Sequence, residues 1–267
     1  MSPESLPWIS IVTPSFQQAR FLERTIQSVI DQGYPRLEYL VLDGGSTDGS
    51  LDVIRKYEDR LDFWSSEADR GQAHAINKGF RQAKGELLGW LNSDDTLAPG
   101  ALLEIGRLFL SHPHVDLVYG HTFLINEADR VVGRRLAVPT NLRELIQYNR
   151  NMWSQPGTFW RRRLYELTGP LDESLHYAFD CDFWIRAAST GTICCLPHHL
   201  ANLRIHAGTK SATKRSLFLE EHQQLDQRYG SEFRTGVRHS WFRLRRRIRV
   251  LRRPANWIAL TRLPRAS

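Results

Sequence analysis

The chain has 267 residues, 41% hydrophobic and 24% charged, with a net charge of +7; this suits a globular protein with one large core or two small ones. No apolar run approaches the roughly 18 residues of a membrane-spanning helix, and the opening MSPESLPW lacks the basic and apolar regions of a secretory signal. Three cysteines, Cys181, Cys194 and Cys195, with no CxxC pair, argue against a disulfide framework or a cysteine zinc site and fit a reducing cytosol.

In chain order, WISIVT (8–13) is a β-rich apolar run, and Leu22, Ile26, Val29 and Ile30 then share one helical face. LEYLVL (37–42) predicts the next strand, and Leu51, Ile54 and Tyr57 a second helix after the turn residues GGSTDGS. DFWSS (62–66) is a short strand, followed by a helix with Ile76, Phe80 and Ala83 in phase. ELLGWL (86–91) is a buried strand; a helix over about 99–111 and a strand VDLVYG (115–120) follow. Strands separated by helices of this length predict βαβ units: an α/β, Rossmann-like fold with a mainly parallel sheet and helices on both faces. Such sheets bind ligands at the carboxyl ends of their strands. The polar clusters TPSFQQ, DGGSTDG, EADRG and NSDD each stand at such an end.

After residue 120 the rhythm changes. Residues 121–138 read as a hairpin, NMWSQPGTFW (151–160) as a loop rich in aromatic and polar groups, and HYAFDCDFWIRAAS (176–189) as a loop entering a helix. Cys194 and Cys195 lie in an apolar run and read as small buried hydrophobes. Charge is divided unevenly as well. Residues 231–267 hold 11 Arg and one Glu, whereas the preceding 230 residues hold 25 basic and 28 acidic side chains. The chain is a mildly acidic globule with a basic tail.

The adjacent carboxylates Asp94 and Asp95, directly after an apolar strand, pose the first chemical question, because like charges at a strand end repel. A solvated turn ahead of a helix is one reading; a cation, or a ligand that arrives with one, is the other.

Taken together, IVTPSF, LVLDGGSTDGS, SEADRGQAHAINKG, WLNSDD and AFDCDFWIR resemble the inverting glycosyltransferases of family 2, which have the GT-A nucleotide-sugar fold. The resemblance covers roughly residues 8–212. It implies a catalytic domain over 1–212, with a nucleotide-sugar-binding half (1–120) and an acceptor-side half (121–212), and leaves 213–267 as a helical, Arg-rich tail.

By that resemblance Asp95 ligates Mg²⁺ or Mn²⁺ and Asp94 reaches the ribose or the waters of the metal. Carboxylate oxygens suit these ions, which bridge phosphates and stabilise a leaving diphosphate. The family's acidic motif begins with an Asp where this chain has Asn92. Pro14, Ser15 and Phe16 match the segment that holds the nucleotide base, and Phe16 offers a ring for stacking. Asp43 matches the first Asp of a paired acidic motif whose second position is Gly44 here. This favours UDP. Asp69 and Arg70 match a segment lining the nucleotide pocket, where an Arg fork binds a carbonyl or phosphate.

An inverting transfer needs one general base to deprotonate the attacking hydroxyl. Asp180 aligns with the family's base, preceded by Phe179 in place of the usual Glu; Asp182 is the reserve candidate, with a first-turn helix acid as its alternative reading. LRIHAGTKS (203–211) resembles the segment that closes over the diphosphate: His206 matches a position that completes the metal shell, and Arg204 and Lys210 offer charge to phosphate. Trp153, Gln155 and Trp160 resemble the acceptor-side loop, with core packing an equal reading for the two tryptophans.

In the tail, Val237, Trp241, Leu244, Ile248 and Leu251 recur on one helical face, with arginines filling the rest until Pro254. A basic amphipathic helix of this kind reads as an anchor on anionic lipid. Docking on the globule or on a second subunit competes with that reading, and nucleic acid is not an expected partner, since only the tail is basic. The expectation is a metal-dependent inverting glycosyltransferase, cytoplasmic and peripheral on the inner face of the plasma membrane, acting on a glycan or lipid-linked glycan. A catalytically inactive nucleotide-sugar-binding or scaffold protein of the same fold is the alternative, resting on Asn92, Gly44 and Phe179.

Overall fold

Strand β1 (Ile9–Ser15) is buried along its whole length because it lies inside the sheet, parallel to β2 (Leu37–Asp43) on one side and β4 (Leu87–Trp90) on the other. The computed structural model describes residues 5–148, 153–210, 214–230 and 259–261. β3 (Phe63–Ser66) extends the parallel set beyond β2. A strand covered on both faces has no polar side to show, so ISIVT and LEYLVL read as continuous apolar runs.

Their side chains still alternate between two layers. Ile9, Ile11, Tyr39 and Val41 face one cluster with Leu22, Ile26 and Val29 of α1 (Ala19–Ile30), Ile54 of α2 (Ser50–Lys56) and Leu102, Ile105 and Phe109 of α4 (Ala101–Ser111). Val12, Leu40, Leu42 and Trp90 face the other, with Ile76 and Phe80 of α3 (Gln72–Gln82) and Phe183 and Trp184 of α7 (Phe179–Thr190). Each fully buried large apolar side chain contributes roughly 1.5–3 kcal/mol by leaving water. Helices therefore cover both faces of the sheet.

Past β4 the sheet becomes mixed. β8 (Thr158–Arg161) is antiparallel to β4 and to β6 (Leu117–Ile125), and β9 (Ile193–Arg204) runs parallel to β6. The order across the sheet is β10-β9-β6-β8-β4-β1-β2-β3, with β5 (Thr96–Leu97) paired to β9 and β7 (Val131–Arg135) to β6. The strand predicted over 115–120 and the hairpin predicted from 121 are continuous: β6 runs on to Ile125. Its polar interruption is accommodated because buried Thr122 donates through Oγ1 to Ser154 Oγ at 2.7 Å. The hairpin turn follows, where Asn126 Oδ1 accepts the N–H groups of Ala128 and Arg130.

α5 (Leu142–Tyr148) and α6 (Arg162–Thr168) flank α7. Cys194 and Cys195 are buried in β9, neither of them in a disulfide. Helix α8 (Arg215–Tyr229) packs on α7: Leu225 is buried, and Arg228 and Tyr229 both donate to Asp182. The amphipathic helix read over 237–251 lies outside the described residues. Further along, β10 (Ala259–Thr261) pairs antiparallel with Ile193–Cys195, so the chain returns to the sheet edge there. Among the described residues no helix is long and apolar enough to cross a membrane.

Candidate active site

The NSDD motif lies between β4 and β5, and its shape follows from that placement. Asp95 N–H closes a turn on Asn92 O at 3.0 Å. β5 then pairs with Ala201 and Asn202 of β9, which brings the end of β9 beside the motif. Arg204 N–H donates to Asp95 Oδ1 at 2.8 Å, and Asn92 Nδ2 is 3.5 Å from Asp95 Oδ2. Thr25 of α1 donates to the carbonyls of Ser93 and Asp95. Asp95 is 1% exposed. Burial, followed by the charge of Asp94, holds its carboxyl well above the ordinary carboxylate range. Asp94 is less covered, and its Oδ2 lies 3.1 Å from His206 Nε2.

Among the described residues no three His, Cys, Asp or Glu side chains converge on one point. Two carboxylates with an adjacent imidazole nonetheless fit a small divalent ion, which takes few ligands from protein and the rest from phosphates and water. The Arg204 charge offsets part of the repulsion between the two carboxyls.

Arg204, expected to face phosphate, is buried at 1% exposure and is fully engaged elsewhere. Its guanidinium donates to the carbonyls of Asp94 and Asn126 and to Asp129, and lies 4.8 Å over the Phe21 ring. It fastens the acidic motif to the β6–β7 hairpin.

The nucleotide-side residues gather at the ends of β1, β2 and β3. Pro14 and Ser15 are buried at the end of β1, and Phe16 beyond them is 59% exposed. Asp43 is saturated: its carboxylate accepts from Gly45 N, Ser46 N, Ser46 Oγ and Ser66 Oγ. It folds the DGGS turn, in which Gly45 has φ +80° and so favours glycine. A Cβ on Gly44 would stand 2.8 Å from Asp69 Oδ2 and 3.2 Å from the Phe16 ring. Glycine at 44 thus lets Asp69 and Phe16 share one small space. Asp69 Oδ1 accepts Gly71 N–H at 2.7 Å, and exposed Arg70 pairs with Glu173 at 2.7 Å.

Across the site, α7 separates the two candidate bases. Asp182 is buried and takes Arg186 Nε on Oδ2, with Arg228 and Tyr229 on Oδ1; it locks α7 to α8. Asp180 is partly exposed, with Oδ1 bonded to Cys181 N–H at 2.7 Å. Burial raises its carboxyl above the ordinary value, against the pull of the Cys181 N–H and of Lys210. Lys210 Nζ donates to His176 O at 2.8 Å and to Gln72 Oε1 at 3.3 Å. Desolvation lowers its pKa, while the carboxylates of Glu221, Asp180 and Asp69 act in the opposite sense.

Trp153 and Trp160 are 3% and 0% exposed. Trp153 stacks on Tyr119 at 3.9 Å, and Trp160 lies among Phe80, Trp90 and Trp184, so neither ring offers a face to a sugar in this conformation. Gln155 is different. Its Nε2 donates to Trp90 O at 2.8 Å, and its Oε1 is buried without a partner among the described residues.

Two residues that sequence reading missed complete the network. Gln72 donates to Asn92 Oδ1 at 2.7 Å and accepts from Lys210; its place at the start of α3 after Gly71 was the available signal. Glu221, on α8, accepts three backbone N–H groups just ahead of α7, and no local pattern announces it.

The family model described as Glycosyl transferase family 2 matches residues 10–188. An uncharacterized glycosyltransferase of Nostoc sp. is 30% identical over 227 residues, spanning 80% of this chain and 69% of that protein. A putative teichuronic acid biosynthesis glycosyltransferase of Bacillus subtilis, TuaG, is 37% identical over 92 residues, 33% of this chain and 36% of its own. Among solved structures, a mannosyltransferase from Pyrobaculum calidifontis in complex with GDP-Man and Mn2+ superposes with a TM-score of 0.63 at 20% identity, over 85% of this chain and 66% of that one. At that identity the likeness carries the fold.

Proposed function

This chain belongs to glycosyl transferase family 2 and has its GT-A fold, and from that premise we propose that it is an inverting, metal-dependent enzyme transferring a sugar from a nucleoside-diphosphate sugar, UDP favoured, to a hydroxyl of a glycan. The observation that carries the proposal is the Asn92–Gln72–Lys210–His176 chain of hydrogen bonds. It joins the acidic motif after β4 to the start of α7, so that the charge of Lys210 acts on both Asp69 and Asp180.

Phe16 stacks on the base, Asp69 takes its polar edge, and Asp43 shapes the turn between them. Pro14 and Ser15 form the floor, and Arg70 stands at the rim. Asp95, Asp94 and His206 would hold Mg²⁺ or Mn²⁺, which supplies positive charge against the leaving diphosphate; Lys210 adds to it. Asp180, whose raised pKa makes it a stronger base than an exposed carboxylate, accepts the proton of the acceptor hydroxyl. That oxygen bonds to the anomeric carbon from the face opposite the departing diphosphate, which inverts the centre. Gln155 offers its unpartnered Oε1 to a sugar hydroxyl.

The acceptor is a lipid-linked glycan in surface polysaccharide assembly, a reading supported by the relative named for teichuronic acid biosynthesis and by the basic tail. On this reading 231–267 hold the enzyme to the anionic inner face of the membrane. The direct test incubates the protein with UDP- and GDP-sugars, with and without Mn²⁺, and assays released nucleoside diphosphate. Metal-dependent release supports the proposal; tight UDP binding with no release from any donor would favour a binding protein that has lost catalysis.

A further inference from the structure

The strap ahead of α7 is held by a residue from outside the segment that matches the family model. Residues 176–178 lead directly into α7 and Asp180. They have three consecutive backbone N–H groups directed at one carboxylate: His176 N to Glu221 Oε1 at 2.8 Å, and Tyr177 N and Ala178 N to Glu221 Oε2 at 2.6 and 2.9 Å. No side-chain cap closes the start of α7 from its own residues; α8 instead holds the three residues leading into it, from 43 to 45 positions away.

Glu221 is 8% exposed. A carboxylate so placed is expensive unless its oxygens are met by donors, and here both are. The same strap is gripped on its other side by Lys210 Nζ, which donates to His176 O, and the His176 ring lies against Gly71 of the donor-side turn. The Lys210 ammonium also feels the charges of both Glu221 and Asp180.

We infer that Glu221 is a positioning residue for the transfer: by holding 176–178 it fixes the distance and dehydration of Asp180 and the reach of Lys210. This rests on the reading of Asp180 as the base. Because Glu221 touches the strap and not the donor motifs after β1, β2 and β4, and reaches the diphosphate side only through Lys210, its loss acts on turnover far more than on nucleotide binding.

The test uses the full chain with UDP-sugar and Mn²⁺, measuring diphosphate release against pH and UDP affinity by calorimetry. Glu221→Ala is expected to lower kcat by about 10- to 100-fold, the size of effect that an ångström of misplacement produces, with UDP affinity unchanged. The acid limb of its pH profile moves to lower pH, because a loosened strap wets Asp180, whose carboxyl is raised chiefly by burial. Glu221→Gln keeps an acceptor oxygen and recovers most of the rate. An unchanged kcat and acid limb in folded Glu221→Ala, or a loss of UDP affinity that accounts for the rate, overturns the inference. Should the alanine variant fail to fold, Glu221→Asp, which draws the carboxylate back from the strap by one methylene, is expected to lower kcat instead, and an unchanged kcat in that variant overturns the inference. Asp180→Asn in the same assay keeps the two questions apart: if it retains turnover, the base assignment is wrong, whereas an inactive Asp180→Asn beside a normal Glu221→Ala defeats this inference alone.

Discussion

Replacing Asp95 by asparagine separates the two consequences of burying a carboxylate beside another one. The carboxylate is 1% exposed, with one good hydrogen bond, from Arg204 N–H, and a long one of 3.5 Å from Asn92. A buried charged acceptor short of donors costs about 1–3 kcal/mol. The amide keeps the bond from Arg204 and sheds the charge, so the metal-free variant should be the more stable protein at neutral pH. For a domain of this size, that gain raises Tm by roughly 2–12 °C. The pH dependence fixes the sign. Since folding raises the pKa of Asp95, its favourable contribution is present below the unfolded carboxylate value and is lost as pH rises through the folded one. The advantage of the amide therefore appears at neutral pH and fades toward about pH 4. Metal reverses the order. An ion present at about 100 times its dissociation constant stabilises the parent by about 2.7 kcal/mol, or roughly 5–11 °C, and the variant lacks this increment. Thermal melts of both proteins with and without Mn²⁺ decide. A destabilised metal-free variant, or the same Mn²⁺ shift in both proteins, refutes the reasoning.

Four further outcomes are expected. Asp180→Asn should cut turnover by about 10²-fold or more with UDP affinity little changed, and the parent's activity should fall on the acid side through a pKa above the ordinary carboxylate value; titrated kinetics check both. Asp182→Ala should lower stability by about 2–3 kcal/mol, because it strips a buried acceptor from Arg186, Arg228 and Tyr229, and denaturant melts would show it; full stability with lost turnover would make Asp182 the base. Gly44→Asp should weaken UDP binding, since its Cβ meets Asp69 at 2.8 Å, and calorimetry reads the loss. Removing 236–267 should leave UDP binding intact and abolish co-sedimentation with anionic vesicles, each lost basic residue being worth about 1 kcal/mol at such a surface; equal binding by the truncated chain rules out the anchor, and a large fall in Tm would favour docking through β10.

The first half of the fold was legible because its strands are covered on both faces and its helices carry one apolar stripe each, so sequence period and tertiary environment agree. The second half was less so. β8 is a short strand, TFWR, that reads as part of an aromatic loop until β4 and β6 are placed on either side of it, and β6 looks broken at Gly120–Thr122 because the partner of Thr122, Ser154, is distant in the chain. The site divides in the same way. Motif position brought the acidic pair and Asp180 to strand and helix ends, but which atoms of a side chain are already engaged depends on contacts across the fold. Family resemblance left Arg204 as a phosphate ligand, and spacing left Asp182 as a rival base; burial and the partners of each fasten them into neighbouring elements.

Gly44 illustrates how a departure from a family pattern is to be read. In the sequence it is a missing second acid, and it counts against recognition of the base. In the structure the space of that absent side chain is filled by Asp69, whose Oδ2 would lie within 2.8 Å of a Cβ at 44, and by the edge of Phe16. A carboxylate still stands beside the exposed ring, delivered from the loop after β3 instead of the end of β2. Gly44 and Asp69 are therefore one steric feature, and on the proposed reading substituting either alone should disturb the nucleotide side of the site.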